Sequence, residues 1–217
     1  MKKVLFSLLA VGALFAAPAQ AQKVGEPQTK AVKATKGGNA YAVQPQLSSL
    51  GWVGKKVGGQ HNGTIALKDG QVQVKGNQIV GGTFTFDMDA IKVQDIENAE
   101  YNAKLVGHLK NDDFFSADKY PTSTFVITNV KSTKADAKGN NALVTGNLTV
   151  KGKTNPVTFP AKVGVKDGVA AASGVATIDR TKYDVKYGST LFGAAADKAI
   201  DNEFTLNFNV VAKQQAQ

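Results

Sequence analysis

The side chains able to carry chemistry are few in this 217-residue sequence, which holds two histidines, a single arginine and no cysteine. His61 and His108 could ligate a metal only with third and fourth partners. Neither a cysteine nor an H-x-x-x-H spacing offers them, so no metal site is expected. Ser48, Ser49, Ser116 and Ser189 lack the G-x-S-x-G context of a nucleophile elbow. The pairs Asp87/Asp89 and Asp112/Asp113 have the composition of a glycosidase acid pair. Alternation sets the first on a strand's solvent face and the second borders a loop, so both are read as solvated. No G-x-x-x-x-G-K-[ST] run is present to cradle a phosphate. Neither catalysis nor a cofactor is expected.

Arg180 has two readings. It pairs internally with Asp179 or Asp184 and pins a loop, the preferred reading, or its planar fork takes a phosphate or carboxylate head group. His61, in a Gly-rich run, pairs with a buried carbonyl or a ligand head group. His108 reads as a hydrogen-bonded histidine under a covering segment.

The apolar residues carry more of the signal. In NDDFFSADKYPTSTF, residues 111–125, Phe114 and Phe115 fall in a connection, where water would ordinarily see them. They are either core that plugs one end of a closed sheet or part of a lid over a cavity. Both alternatives fold the connection inward and leave Asp112 and Asp113 at its solvent edge.

The elements that must position these residues are mostly strands. Val80, Gly82, Phe84, Phe86 and Met88 alternate, as do Val144, Gly146, Leu148 and Val150. Val157, Phe159, Ala161, Val163 and Val165 form another such face, and Phe204, Leu206, Phe208 and Val210 a fourth. Asp69-Gly70 and Asp167-Gly168 between alternating runs predict hairpins, because a type I′ turn needs positive φ at both central residues. About eight short antiparallel strands follow from this count, which means a sandwich or a barrel. One stretch, residues 95–109, has helical spacing instead. Asp95 is its expected cap, and Tyr101, Leu105 and Leu109 form one stripe, with His108 on the same side. Trp52 is expected to fill the taper of the barrel floor with its N–H on a carbonyl.

The first residues, MKKVLFSLLAVGALFAAPAQAQ, have the charged, apolar and small-x-small order of a secretory signal peptide, so residues 1–21 are expected to be removed and the protein to be periplasmic. Residues 22–39 read as a flexible Lys-rich arm, 40–213 as one domain and 214–217 as a tail. The formal net charge is +9, almost all of it from scattered lysines. That favours solubility and transient contact with anionic head groups over base readout, so nucleic acid is set aside as a partner.

Four blocks in order then resemble a known family. They are Trp52-Val53-Gly54 with Lys56-Val57-Gly58 and His61-x-Gly63; His108-Leu109-Lys110 with Asp113-Phe114-Phe115 and Tyr120-Pro121-x-x-x-Phe125; Asn147-Leu148-Thr149-Val150-x-Gly152-x-Thr154-x-Pro156-Val157; and Ile178-Asp179-Arg180-x-x-Tyr183 with Tyr187-Gly188. Together they are similar to the YceI-like family of polyisoprenoid-binding periplasmic proteins, over roughly Tyr41 to Ala212. Gln44 and Leu47 replace an acidic residue and a histidine of that pattern, and Tyr183-Asp184 replaces Phe-Gly.

The resemblance implies an all-β, lipocalin-like, eight-stranded antiparallel barrel with one short helix and a capping loop. It also implies a long-chain isoprenoid or fatty-acyl lipid inside. The tail would lie along Val72, Phe84, Phe86, Phe125, Leu148, Phe159, Phe204 and Phe208, with Trp52, His61, Leu105, His108, Phe114, Phe115 and Arg180 completing the site. A homodimer along an exposed strand edge is compatible with such a sheet. Two rivals stand: an outer-membrane barrel with its apolar faces outward, and a structural or stress-response barrel filled by its own side chains.

Overall fold

Residues 38–215 are described by the computed structural model; the expected signal peptide, and the expected arm up to residue 37, lie outside them. Nine strands are present among these residues: β1 (Asn39–Val43), β2 (Ser49–Lys56), β3 (Gly59–Lys75), β4 (Gln78–Val93), β5 (Thr122–Ser132), β6 (Ala142–Val150), β7 (Lys153–Lys166), β8 (Val169–Asp179) and β9 (Ile200–Gln214). One α-helix, α1 (Ala99–Lys110), lies between β4 and β5. From β2 to β9 each strand pairs antiparallel with the next, and β2 pairs with β9, closing an eight-stranded barrel. Every barrel strand therefore has a neighbour on both sides, although β7 and β8 pair only from Ala161↔Gly174 to Lys166↔Val169.

The ninth strand is the other half of the β2 row. β1 pairs with the far half of β3, from Asn39↔Val74 to Ala42↔Gln71, and with the end of β9. β2 pairs with the near half of β3, from Gly51↔Thr64 to Lys56↔Gly59. The row breaks at a 3-10 turn, Pro45–Leu47. Proline has no N–H to give a ladder, and Ser48 repairs the gap. Its hydroxyl accepts from Val211 N at 3.1 Å and donates to Gln44 O at 2.8 Å.

Alternation directs the apolar faces inward. The outward positions of β7 include Lys162, Thr158 and Lys166, all exposed, the reverse of a lipid-facing barrel. Three sequence expectations change in register. Asp69-Gly70 is not a hairpin: β3 runs straight through it for 17 residues, with a bulge between Leu67 and Asp69. Both residues keep negative φ. Gly70 is there for close approach, since a Cβ would lie 2.9 Å from Val43 Cγ2 and 3.1 Å from Thr83 O. Asp167-Gly168 does turn, with φ of 49° and 70°. A second irregularity, between Gln73 and Val74, sends Ile79 inward in place of Val80. A third, in β5 after Ile127, sends Val130 toward the barrel interior, where Ile127 already points on the Phe125 face.

α1 begins at Ala99, not Asp95, because Asp95 is engaged elsewhere: it accepts from Asn62 N and meets the His61 ring. Asn98 caps in its place, accepting from Glu100 N and Tyr101 N at 3.0 and 3.1 Å. Leu109 is buried, but Tyr101 is 62 % exposed and leaves the expected stripe.

The inner face of β6 shows how tightly one side of the barrel is packed. A Cβ on Gly146 would stand 2.4 Å from two Phe125 ring atoms and 2.6 Å from Val126 O. Gly146→Ala is therefore expected to destabilise the barrel by roughly 1–3 kcal/mol, the usual cost of overpacking. The urea midpoint, with an unchanged slope, measures it; an unshifted midpoint would mean that Phe125 is free to move aside.

Candidate functional site

The interior splits into two apolar clusters. One, at the α1 end, joins Leu50, Trp52, Met88, Ile91, Leu109, Phe114 and Val185. The other fills the remaining length of the barrel and is hollow. A cavity there offers about 100 Å³ to the centres of water-sized spheres, several times what one water needs. Residues from all eight barrel strands line it, and Ser49 is the only polar one.

The hollow has a specific origin. β8 turns Ala170, Ala172, Gly174 and Ala176 inward, among rings carried by its neighbours β7 and β9 and by β4 and β5. Phe84 stacks on Phe125 at 6.3 Å, Phe125 meets Phe159 at 5.5 Å, and Phe159 meets Phe208 edge-on at 5.3 Å. Rings reach in from four strands, and the methyl groups of β8 leave the space before them open. Such a lining favours an apolar chain over water, because water would find almost no hydrogen-bond partner there.

Of the residues singled out from the sequence, Val72, Phe84, Phe86, Phe125, Leu148, Phe159 and Phe208 line this cavity. Phe204 packs on the same cluster without lining it. Trp52, Leu105, Phe114 and Phe115 pack in or against the cluster at the α1 end. The Trp52 N–H reaches Lys92 O at 3.1 Å. The connection after α1 folds inward: Phe115 N donates to Leu109 O and Ala117 N to Lys110 O. Phe114 is thereby buried, with Asp112 and Asp113 outside. Ile79, Ile127, Val130 and the β8 alanines also line the cavity and were not foreseen. Ile79 and Val130 are hidden by bulges; Ile127 shares a period-two face with Phe125, as the alanines do with Ile178, and these could have been found.

The polar candidates sit outside the cavity lining. His61 Nδ1 lies 2.7 Å from Asp95 Oδ2. Burial alone would raise the Asp95 carboxyl, but the Asn62 N–H and the His61 ring hold it below the usual carboxylate range. His108 Nε2 lies 2.9 Å from Asp113 Oδ2, and its ring meets Phe114 and Tyr187 edge-on. Arg180 is 5 % exposed and pairs with neither expected aspartate. It donates to four carbonyls: Asp201 O from Nε, Val185 O and Tyr187 O from Nη1, and Ile200 O from Nη2. Asp179 instead accepts from Thr181 N and Oγ1, and Asp184 pairs with Lys186. Burial pushes Arg180 down, against the pull of the Asp179 and Asp201 charges.

The two departures in the fourth block have visible consequences. Asp184 has φ of 62°, the left-handed region that glycine adopts freely. Tyr183 is 2 % exposed, and its hydroxyl has no hydrogen-bond partner among the described residues.

Comparison with known proteins agrees with this architecture. A family model described as the YceI-like domain matches residues 41–212. Curated relatives include a UPF0312 protein of Pseudomonas aeruginosa, 42 % identical over 89 residues, and Protein YceI of Escherichia coli, 38 % identical over 90 residues. Each alignment takes in 38 % of this chain and 44 % of the relative, so the chain spans less than half the length of the curated relatives it matches. Among solved structures, Burkholderia cenocepacia BcnA superposes with a TM-score of 0.59 at 26 % identity, covering 79 % of this chain and 99 % of that one. A polyisoprenoid binding domain from Saccharophagus degradans, implicated in plant cell wall breakdown, superposes with a TM-score of 0.58 at 14 % identity, covering 82 % of this chain and 99 % of its own. At that identity the second likeness speaks to the fold.

Burial, with the Asp179 charge, pushes the Tyr183 hydroxyl up to about 12. An unfolded tyrosine ionises near pH ~10, so the contribution of this raised pKa is complete below that value and is lost as pH rises through the folded pKa. Tyr183→Phe is expected to leave stability at neutral pH unchanged or higher, since it removes a buried unpartnered hydroxyl. It should also flatten the alkaline loss of stability. Urea unfolding at neutral pH and above about pH 10 tests both; a markedly less stable variant would mean that the hydroxyl has a partner.

Proposed function

The chain belongs to the YceI-like domain family, and from that premise we propose that it is a non-catalytic lipid carrier. The barrel holds the apolar tail of a long-chain amphiphile, of isoprenoid or fatty-acyl type. The signal-like first residues place the carrier in the periplasm in this reading. The observation that carries it is the hollow: about 100 Å³ of apolar space bounded by the ring wall and the β8 alanines. A barrel of this strand number is wide enough to be filled by side chains or to hold one small ligand, and the bare alanine wall favours the second use. The polyisoprenoid binding named for the Saccharophagus domain agrees in chemical class.

The nearly apolar lining, together with the engagement of the Arg180 fork, makes tail burial the main source of affinity. About 0.8 kcal/mol per CH₂ corresponds to about fourfold in affinity for each added methylene, until the lumen is full. Two measurements test the carrier. Protein exported and purified without detergent should release a stoichiometric long-chain species into organic solvent, read by mass spectrometry. Ala172→Phe, which puts a ring on the bare wall, should weaken binding of a fluorescent fatty-acyl probe at least tenfold. An empty extract together with a probe affinity unaffected by Ala172→Phe would shift the assignment to a barrel that serves as a structural domain.

A further inference from the structure

The loop between β8 and β9 exposes what a folded chain usually hides. Leu191 is 71 % and Phe192 51 % exposed, adjacent at the tip, and Tyr187 on the ascending leg is 47 % exposed. Isolated exposed apolar residues are ordinary; here the surrounding structure holds them out. Arg180 fastens both legs, through Val185 O and Tyr187 O on one side and Ile200 O and Asp201 O on the other. Ile200 N donates to Gly188 O at 2.8 Å across the base. At the tip, Phe192 N and Ala194 N both donate to Ser189 O, and Gly193 turns the chain with φ of 91°. The β2–β3 turn is tied to the same structure by Val57 N donating to Ala199 O at 2.9 Å, and Val57 is itself 56 % exposed. The result is a braced projection with an apolar tip.

Its charge indicates the partner. Lys55 and Lys56 precede Val57, and Lys182, Lys186 and Lys198 lie within the loop; all five are exposed. Asp184 and Asp197 are the acidic residues of the same two segments, and Asp184 is already paired with Lys186. Lys186 also lies 5.1 Å from the centre of the Phe192 ring, so an apolar body and a cation are presented together. A few side chains at a tip cover far less than the roughly 800 Å² per partner of a stable protein interface. They suit a wedge that enters the head-group region while lysines meet phosphates.

We propose that this loop docks the protein on an anionic phospholipid surface, Leu191 and Phe192 entering the head-group and acyl boundary. This rests on the carrier reading, for which it supplies the surface where a lipid is collected or released. The test is sedimentation of the exported protein, from which the expected leader has been removed, with vesicles of equal phosphatidylethanolamine and phosphatidylglycerol, and with phosphatidylcholine alone. Binding is expected only to the first, and added salt should weaken it. Leu191→Ser with Phe192→Ser should lower it roughly tenfold, and Lys55→Gln with Lys56→Gln should lower it separately. Both double variants should keep the thermal midpoint and the lumen affinity for the fatty-acyl probe, so failure of docking is distinguishable from failure of the carrier. Equal sedimentation of the wild type and the Leu191/Phe192 variant would overturn the proposal. So would a wild type that ignores anionic vesicles while binding the probe, or one that dimerises through this tip and is not recovered with vesicles.

Discussion

Closure of the sheet between β2 and β9 is the constraint on which the rest of the molecule depends. The ladder from Ser49↔Asn209 to Gly54↔Phe204 joins the first and last barrel strands, and without it the sheet would have two open edges. Once it forms, eight strands fix the bore, and every inward side chain faces others across a short distance. The break at Pro45 is tolerable only because β1 resumes the row and Ser48 takes the Val211 N–H. What lies inside then depends on side-chain volume, strand by strand.

The two halves of the interior use that volume differently. At the α1 end, indole, methionine and phenylalanine side chains meet, and the chain after α1 folds back to bury Phe114. That answers why the chain carries Phe-Phe in a connection: the connection is a wall of the barrel end. Along the remaining length β8 supplies methyl groups where the other strands supply rings, and the space stays open. A uniformly large set of inward residues would give a filled core of the same topology. The alanine face is therefore the feature that separates a container from a solid domain.

Much of this was legible in the sequence, because a period of two is a direct consequence of burying one face of a strand. The faces of β6, β7 and β9 appear as read. Bulges were not legible. Ile79 and Val130 turn inward because one strand gains a residue on its neighbour, and nothing in the local pattern marks the place. Asp69-Gly70 misled for a related reason: glycine serves a sharp turn and a close approach equally well, and only the position of Val43 and Phe84 decides between them. The same ambiguity ran the other way at Lys151-Gly152, where a turn with φ of 51° and 70° forms without an Asp or Asn to announce it. Side-chain partners were least legible. Asp95 was as good a cap as Asn98 by type, and only the fold shows that it is held by Asn62 and His61.

Arg180 pins a loop, as the preferred reading had it, but its partners could not be read from its neighbours in sequence. An arginine between acids suggests an ion pair, yet its four hydrogen bonds go to carbonyls that converge from two separate legs of the chain. A buried cation is costly unless its donors are met, and here four of the five guanidinium N–H groups are. Carbonyl dipoles can do this without a counter-ion, provided the fork is planar and rigid enough to reach them together. Lysine, with one nitrogen on a flexible stem, could not span Val185 O and Ile200 O at once. The requirement for arginine at this position is thus geometric. The residue that looked most suited to hold a ligand head group instead fixes the shape of the loop beside it.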